Sequence, residues 1–254
     1  MNLRLDNGLI LQASLGDQSA ALIASIAKDS SAALVNLGTG GFVIRYLPEK
    51  INPPSGYLRT LIYQEKNPGH DIALHTHIAI EGTLNSIAAA LAPYPVSECR
   101  VEDLATTNIF CLAEPSGIGA PYFRSDFGLC FSESITHLTP RQMATLLLEG
   151  IIFRVARILE KFHHTSALER VYLSGGLSEL ACLQQGIAQC VPFDVYRLTQ
   201  KDSSLQGAAL LAAGMSAAYK HQQEKIALTH HTPALPEKYQ RWKSWLDDLL
   251  YPSM

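Results

Sequence analysis

A few short stretches of this 254-residue sequence hold the residue types that could do chemistry. The first is Gly16-Asp17-Gln18, between an apolar segment at residues 8–14 and small residues at 18–27. A carboxylate at such a junction could accept a proton from a substrate hydroxyl, and the glycine admits close approach of a ligand. Alone, a helix cap is the commoner role of an aspartate there. The second is Asn36-Leu37-Gly38-Thr39-Gly40-Gly41-Phe42. Small residues let backbone N–H groups approach phosphate oxygens, and Thr39 adds a hydroxyl. By itself this is also an ordinary hairpin turn. The third, residues 114–122, has Gly117 and Gly119 among turn formers and suits a surface loop. The fourth is Ser174-Gly175-Gly176-Leu177-Ser178. Glycines there let a ring or a phosphate lie against the backbone, or simply let a helix pack on a strand.

Periodicity supplies the elements that must position these residues. Residues 8–14 read as a short strand and 18–27 as a helix of small residues. The continuous apolar run 32–37 predicts a buried strand. Residues 38–41 are a tight turn, with 42–46 the returning arm of a hairpin. Residues 57–63 alternate like a strand, and Asn67-Pro68-Gly69 makes a loop. The stripe Leu84, Ile87, Ala88 and Leu91 predicts a helix over 80–91, with Glu81 a surface carboxylate. Residues 108–112 predict a short strand. Thr139 before Pro140 predicts the cap of a long helix reaching about Phe162, in which Glu149 is structural. Residues 170–173 and 193–196 read as strands; 180–190, 204–219 and 236–250 read as helices. Trp242 and Trp245, three apart on the last helix, suit packing better than nucleic-acid stacking. A hairpin set followed by strands alternating with helices predicts one α/β domain over residues 1–254, a mixed sheet flanked by helices.

Composition narrows the class. A net charge of −3, a pI of about 6.3 and 17% charged residues exclude disorder, collagen and coiled coil, and give no broad basic field for nucleic acid or anionic membrane. The apolar-leaning run 204–219 is shorter than the ~18 to 20 residues that span a bilayer, and residues 9–11 are too short a burst for a signal peptide. Cys99, Cys111, Cys130, Cys182 and Cys190 are odd in number without CxxC spacing, which predicts reduced thiols and a cytoplasmic chain. His75 and His77 would share a strand face. With no acidic or cysteine ligand at useful spacing, they read as packed or solvated, as do the pairs 163–164 and 230–231, and no protein-held metal is expected.

Taken in order, the stretches resemble the C-terminal half of the FGGY carbohydrate kinases, which include glycerol, xylulose, ribulose and sedoheptulose kinases. ASLGDQSAAL at 13–22 resembles the GDxxAA segment that carries the family's catalytic aspartate. VNLGTGGF at 35–42 resembles its second phosphate loop, and FCLAEPSGIGAPY at 110–122 its nucleotide-side loop. LLEGIIF at 147–153 resembles its LEGIAF helix, SGGLSELACLQQ at 174–185 its adenosine motif, and GAALLAAG at 207–214 its GAA helix. Each piece is short; the order and spacing are specific.

The resemblance implies a single actin/hexokinase-type, ribonuclease H-like ATPase domain. It implies that Asp17 is the general base taking the substrate hydroxyl proton as the γ-phosphoryl arrives. It implies that Gln18 meets a substrate hydroxyl, that Gly38, Thr39 and Gly40 hold the β- and γ-phosphates, that Gly117 faces the nucleotide, and that Gly175 and Gly176 pack beside the adenosine. Phe42 falls where glycerol kinases place an aromatic against the carbon chain, and is equally placed as a hairpin core residue. ATP with Mg2+ and a sugar or polyol are the implied ligands; neither nucleic acid nor membrane is.

Two departures stand out. Members of the family are about twice this length and carry an Asp-x-Gly-Thr loop in an N-terminal domain; no such loop precedes Asp17, and Leu180 stands near a family asparagine. The expectation is a C-terminal kinase domain whose N-terminal half is absent or on a separate chain. Such a domain is incompetent alone, because positioning both reactants can carry ~7 to 11 kcal/mol of the barrier. The alternatives are a degenerate nucleotide-binding remnant and a protein-interaction domain. A bared domain interface would also favour a homodimer.

Overall fold

Side chains along residues 32–37 alternate between two destinations. Ala33, Val35 and Leu37 join one buried cluster, and Ala32 and Leu34 join another. A strand buried on both faces requires a helical layer on each side. The computed structural model, which describes residues 3–48, 51–66, 74–199, 202–214, 223–229 and 232–252, shows those layers.

A ribbon of β1 (Leu3–Arg4) and β2 (Ile10–Leu11) precedes α1 (Asp17–Ile26). Then come β3 (Ala32–Leu37), β4 (Gly41–Leu47), β5 (Leu58–Lys66), β6 (Leu74–Leu84) and the short α2 (Ile87–Leu91). β7 (Cys111–Leu112) and β8 (Cys130–Phe131) form a second ribbon. α3 (Pro140–Thr165), β9 (Arg170–Ser174), α4 (Ala181–Cys190) and β10 (Asp194–Leu198) follow. α5 (Ser203–Ala212), β11 (Gln223–Lys225) and α6 (Ala234–Leu250) come last.

One sheet runs in the order β11-β10-β9-β3-β4-β6-β5. β3, β9 and β10 are parallel, and the remaining pairs are antiparallel. α1 covers one face, where Leu22 and Ile23 meet Leu34, Ile44, Ile62 and Tyr172. α5 lies against α1, with Gly207 so close that a Cβ there would run into the Ala20 backbone. α3, α4 and α6 cover the other face, over Val35, Val43, Ile80, Leu84 and Val171. Each fully buried large apolar side chain contributes roughly 1.5–3 kcal/mol relative to exposure.

Several polar groups tie the elements around this core together. Thr139 and Gln142 form a capping box at the start of α3, with Pro140 as its first residue. The other end of α3 is held by buried Arg45 of β4. Its guanidinium donates to the carbonyls of Phe162 (2.8 Å), Ser166 (2.8 Å), Ala167 (2.7 Å) and Ser30 (2.9 Å). Glu149, buried in α3, pairs with Lys238 of α6 and accepts the Ala105 amide, so its contacts are structural. Trp242 is fully buried and donates Nε1 to the Cys111 carbonyl, and Trp245 packs against Phe110.

One expected element is different. Residues 80–84 extend β6 instead of opening a helix, and α2 starts only at Ile87. The apolar stripe straddled a strand end and a helix start. β-branched Thr76, Ile78, Ile80 and Thr83 suit the pleat, and Ser86, at φ 55, breaks the chain between the two elements. Glu81 is therefore a buried strand residue and not a surface carboxylate. The expected Asn67-Pro68-Gly69 loop, the His230-His231 pair and the end of the expected 204–219 helix lie outside the described residues.

Candidate functional site

The parallel strands β3 and β9 pair through Asn36↔Ser174, so the turns after both emerge side by side at one edge of the sheet. Gly38, Thr39 and Gly40 follow β3; Gly175 and Gly176 follow β9. Ligands of open α/β sheets bind outside the carboxyl ends of such strands. The Gly38 amide donates to the Gly40 carbonyl (2.9 Å), closing a tight turn. Gly175, at φ 87 and ψ 163, adopts a backbone conformation available essentially to glycine. A Cβ there would overlap the Leu37 carbonyl and stand 2.5 Å from Asn36 Oδ1. A Cβ on Gly176 would meet nothing within 4 Å. The diglycine thus splits into one residue the packing demands and one facing open space.

The turn at residues 27–31 reverses the chain between α1 and β3, so the two pack in opposite directions. The first turn of α1, with Asp17 and Gln18, therefore lies at the edge where β3 ends. Gly16 is the N-cap, and the carboxylate of exposed Asp17 accepts the adjacent Gln18 amide (2.8 Å), so Asp17 itself is not the cap. Ser204 of α5 donates its hydroxyl to the Asp17 carbonyl (3.0 Å), bringing the starts of α1 and α5 together.

Strand register places further groups on the α1 side of the sheet. Ile44 belongs to the cluster beneath α1, and Phe42, two residues away in β4, points the same way and is partly exposed. Ile44 pairs with Glu81, and Glu81 pairs with Leu58 of β5. Thr60 donates its hydroxyl to Glu81 Oε2 (3.1 Å). Burial raises the Glu81 carboxyl above the ordinary carboxylate range; the Thr60 hydroxyl opposes the shift, and the Asp17 charge adds to it. Asp17 and Glu81 therefore feel one another.

Gly117, at φ 99, lies in the loop after β7, which packs against the end of β6. Asn85 donates its amide to Glu114 Oε2 (2.9 Å) and its Nδ2 to the Gly117 carbonyl (2.9 Å). The hydroxyls of Ser86 and Ser116 meet at 2.7 Å, and the Ala120 amide donates to Thr83 Oγ1 (2.8 Å). The same β6 end reaches the β3 turn, since Ala88 donates to the Thr39 carbonyl (3.2 Å). Residues 83–88 thus join the segments of Thr39 and Gly117, a link that no motif at Asn85 or Ser86 announced. The strand-period alternation through Ile78 and Ile80 could have signalled it.

Some candidates stay apart. His77 is buried, stacked 4.4 Å from Tyr63, with Nδ1 3.1 Å from the Tyr46 hydroxyl. The described cysteines are free thiols. Among the described residues no group of three or more His, Cys, Asp or Glu could hold a metal ion, and no helix is long and apolar enough to cross a membrane.

A mixed sheet between helical layers, with glycine turns and a carboxylate gathered at the carboxyl edge of its parallel strands, defines an α/β domain with a candidate site at that edge. Its fold is similar to those of solved glycerol and xylulose kinases. The structure of Plasmodium falciparum glycerol kinase with ADP superposes with a TM-score of 0.78 at 19% identity, covering 97% of this chain and 52% of that one. That of xylulose kinase from Rhodospirillum rubrum gives 0.70 at 20% identity, covering 98% and 53%. Residues 33–216 match the C-terminal domain of the FGGY family of carbohydrate kinases, and the chain belongs to that family. It is 27% identical to glycerol kinase 1 of Streptomyces avermitilis, over 94% of this chain and 49% of that protein. It is 28% identical to the glycerol kinase of Chloroflexus aurantiacus, over 81% and 43%. The chain spans about half the length of the curated relatives it matches.

Proposed function

We propose that this chain is the nucleotide-side half of a sugar or polyol kinase, acting together with an N-terminal half. The observation that carries this is the gathering of the Thr39 turn, the Gly175 turn and the Asp17 end of α1 at one sheet edge. In this reading Gly38, Thr39 and Gly40 cradle the β- and γ-phosphates, Gly117 lines the nucleotide, and open Gly176 lets the adenosine lie against the backbone. Gln18 and Phe42 meet the acceptor. Asp17 takes the acceptor's hydroxyl proton while that oxygen bonds to the γ-phosphorus and the bond to the β,γ-bridging oxygen breaks, leaving ADP.

Mg2+ prefers oxygen ligands and is usually held by substrate phosphates with one or two carboxylates. Among the described residues no group of three or more His, Cys, Asp or Glu could hold the ion, so in this reading the nucleotide phosphates carry it and Asp17 stays with the acceptor. The ion's contribution is to neutralise charge on the transferring group.

Calorimetry with Mg-ADP tests the proposal. Saturable binding that Gly176→Ala weakens is expected; no binding at millimolar nucleotide refutes the nucleotide assignment. The second test is ATP-dependent phosphorylation of glycerol or xylulose by the pure chain. Robust turnover would refute the need for a second half.

A further inference from the structure

We propose that Glu114, with its buried counter-ion Arg154, is a positioning residue that fixes the loop of Gly117 relative to the turn of Thr39; this rests on the nucleotide assignment above. Arg154 lies in α3 and Glu114 at the head of the loop, with side chains 0% and 1% exposed and Nε–Oε1 at 2.5 Å. The other carboxylate oxygen, Oε2, accepts two backbone amides, Asn85 (2.9 Å) and Gly119 (2.8 Å). One oxygen thus grips both the end of β6 and the middle of the loop. Arg154 reinforces the grip by donating to the Ala120 carbonyl (2.9 Å) and Thr83 carbonyl (3.3 Å), one from each segment, and lies 5.3 Å over the Tyr122 ring.

The second link runs from the β6 end to the phosphate turn. Ala88 donates to the Thr39 carbonyl, and a Cβ on Gly40 would stand 3.0 Å from the Leu84 carbonyl. Displacing residues 83–88 therefore displaces Thr39 and Gly117 together. A carboxylate only 1% exposed, whose acceptors are used on one amide at the end of β6, one loop amide and one guanidinium, holds backbone in place and has no free face for a ligand. Removing one member alone would strand a buried charge.

Two double variants separate positioning from bulk stability. Glu114→Ala with Arg154→Met removes both charges and the oxygen that grips the amides. Glu114→Gln with Arg154→Met also removes both charges but keeps an oxygen in place. The expected result is an Mg-ADP affinity about tenfold weaker in the first and recovered to within about threefold of the parent in the second, within the range of ordinary site coupling. Equal affinity in the first variant and the parent would overturn the role. So would equal weakening in both. A measurement on the unaltered chain needs no variant: saturating Mg-ADP should slow hydrogen exchange at the Asn85 and Gly119 amides, because coupling is reciprocal. Unchanged exchange with ADP bound would overturn the role of Glu114 and leave the nucleotide assignment standing. Absence of ADP binding by the parent would overturn both.

Discussion

Replacing Gly175 with alanine should damage the fold, whereas the same change at Gly176 should damage only ligand binding. Gly175 sits at φ 87 and ψ 163, where a side chain costs about 1–3 kcal/mol. Its new Cβ would also collide with the Leu37 carbonyl and Asn36 Oδ1, and overpacking of that kind costs a further ~1–3 kcal/mol. The sum, about 2–6 kcal/mol, corresponds to a fall in Tm of at least about 4 °C for a domain of this size. A Cβ on Gly176 meets nothing within 4 Å, so Gly176→Ala should stay within about 0.5 kcal/mol of the parent. If the diglycine borders the nucleotide, that open space is where the ligand lies, and Gly176→Ala should weaken Mg-ADP about tenfold, or ~1.4 kcal/mol. Urea unfolding and calorimetry on the two variants provide the comparison. A stable Gly175→Ala protein, or equal destabilisation by both changes, would refute the packing argument. Full ADP affinity in Gly176→Ala would remove Gly176 from the site.

Asp17→Ala should abolish phosphoryl transfer in any reconstituted pair of halves while Mg-ADP affinity stays within about twofold, since the exposed carboxylate serves the acceptor; unchanged turnover would remove Asp17 from the chemistry. Glu81 has a folded pKa raised above its ordinary 4.5 by burial, with the Thr60 hydroxyl opposing and the Asp17 charge adding. The folded chain therefore binds more protons than the unfolded chain in the window above pH 4.5, and stability falls as pH rises through that window to the folded pKa. Glu81→Gln should remove this loss and gain on the parent as pH rises; a pH-independent difference in urea midpoints would contradict the sign. Arg45→Met should lose roughly 3 kcal/mol or more, because the carbonyls of Ser30, Phe162, Ser166 and Ala167 lose the buried guanidinium they share; a circular-dichroism melt indistinguishable from the parent would contradict it.

Much of the architecture is legible in the residues alone. The run 32–37, the glycine turn after it and the Thr139-Pro140 start of α3 each carry a local physical signature: double-sided burial, small-residue turn chemistry and a capping pair. The order of the six family stretches likewise needs no coordinates, because it is a property of the chain. Local signals fail where two elements meet within one apolar stripe. At residues 80–91 helical spacing arose by joining the last residues of β6 to the first of α2, and Glu81 was misplaced with it.

Tertiary structure alone decides which partners distant residues find. Asp17 and Glu81 are brought within electrostatic reach by the packing of α1 on β3 in the opposite direction and the register of β6 on β4. Glu114 meets Arg154 across forty positions, and Arg45 meets the end of α3 across more than a hundred. Periodicity is set by bonds between near neighbours, so the sequence reports it directly. A buried charge instead takes its donors and acceptors from whichever elements the sheet order makes adjacent, and that adjacency exists only once the layers have closed.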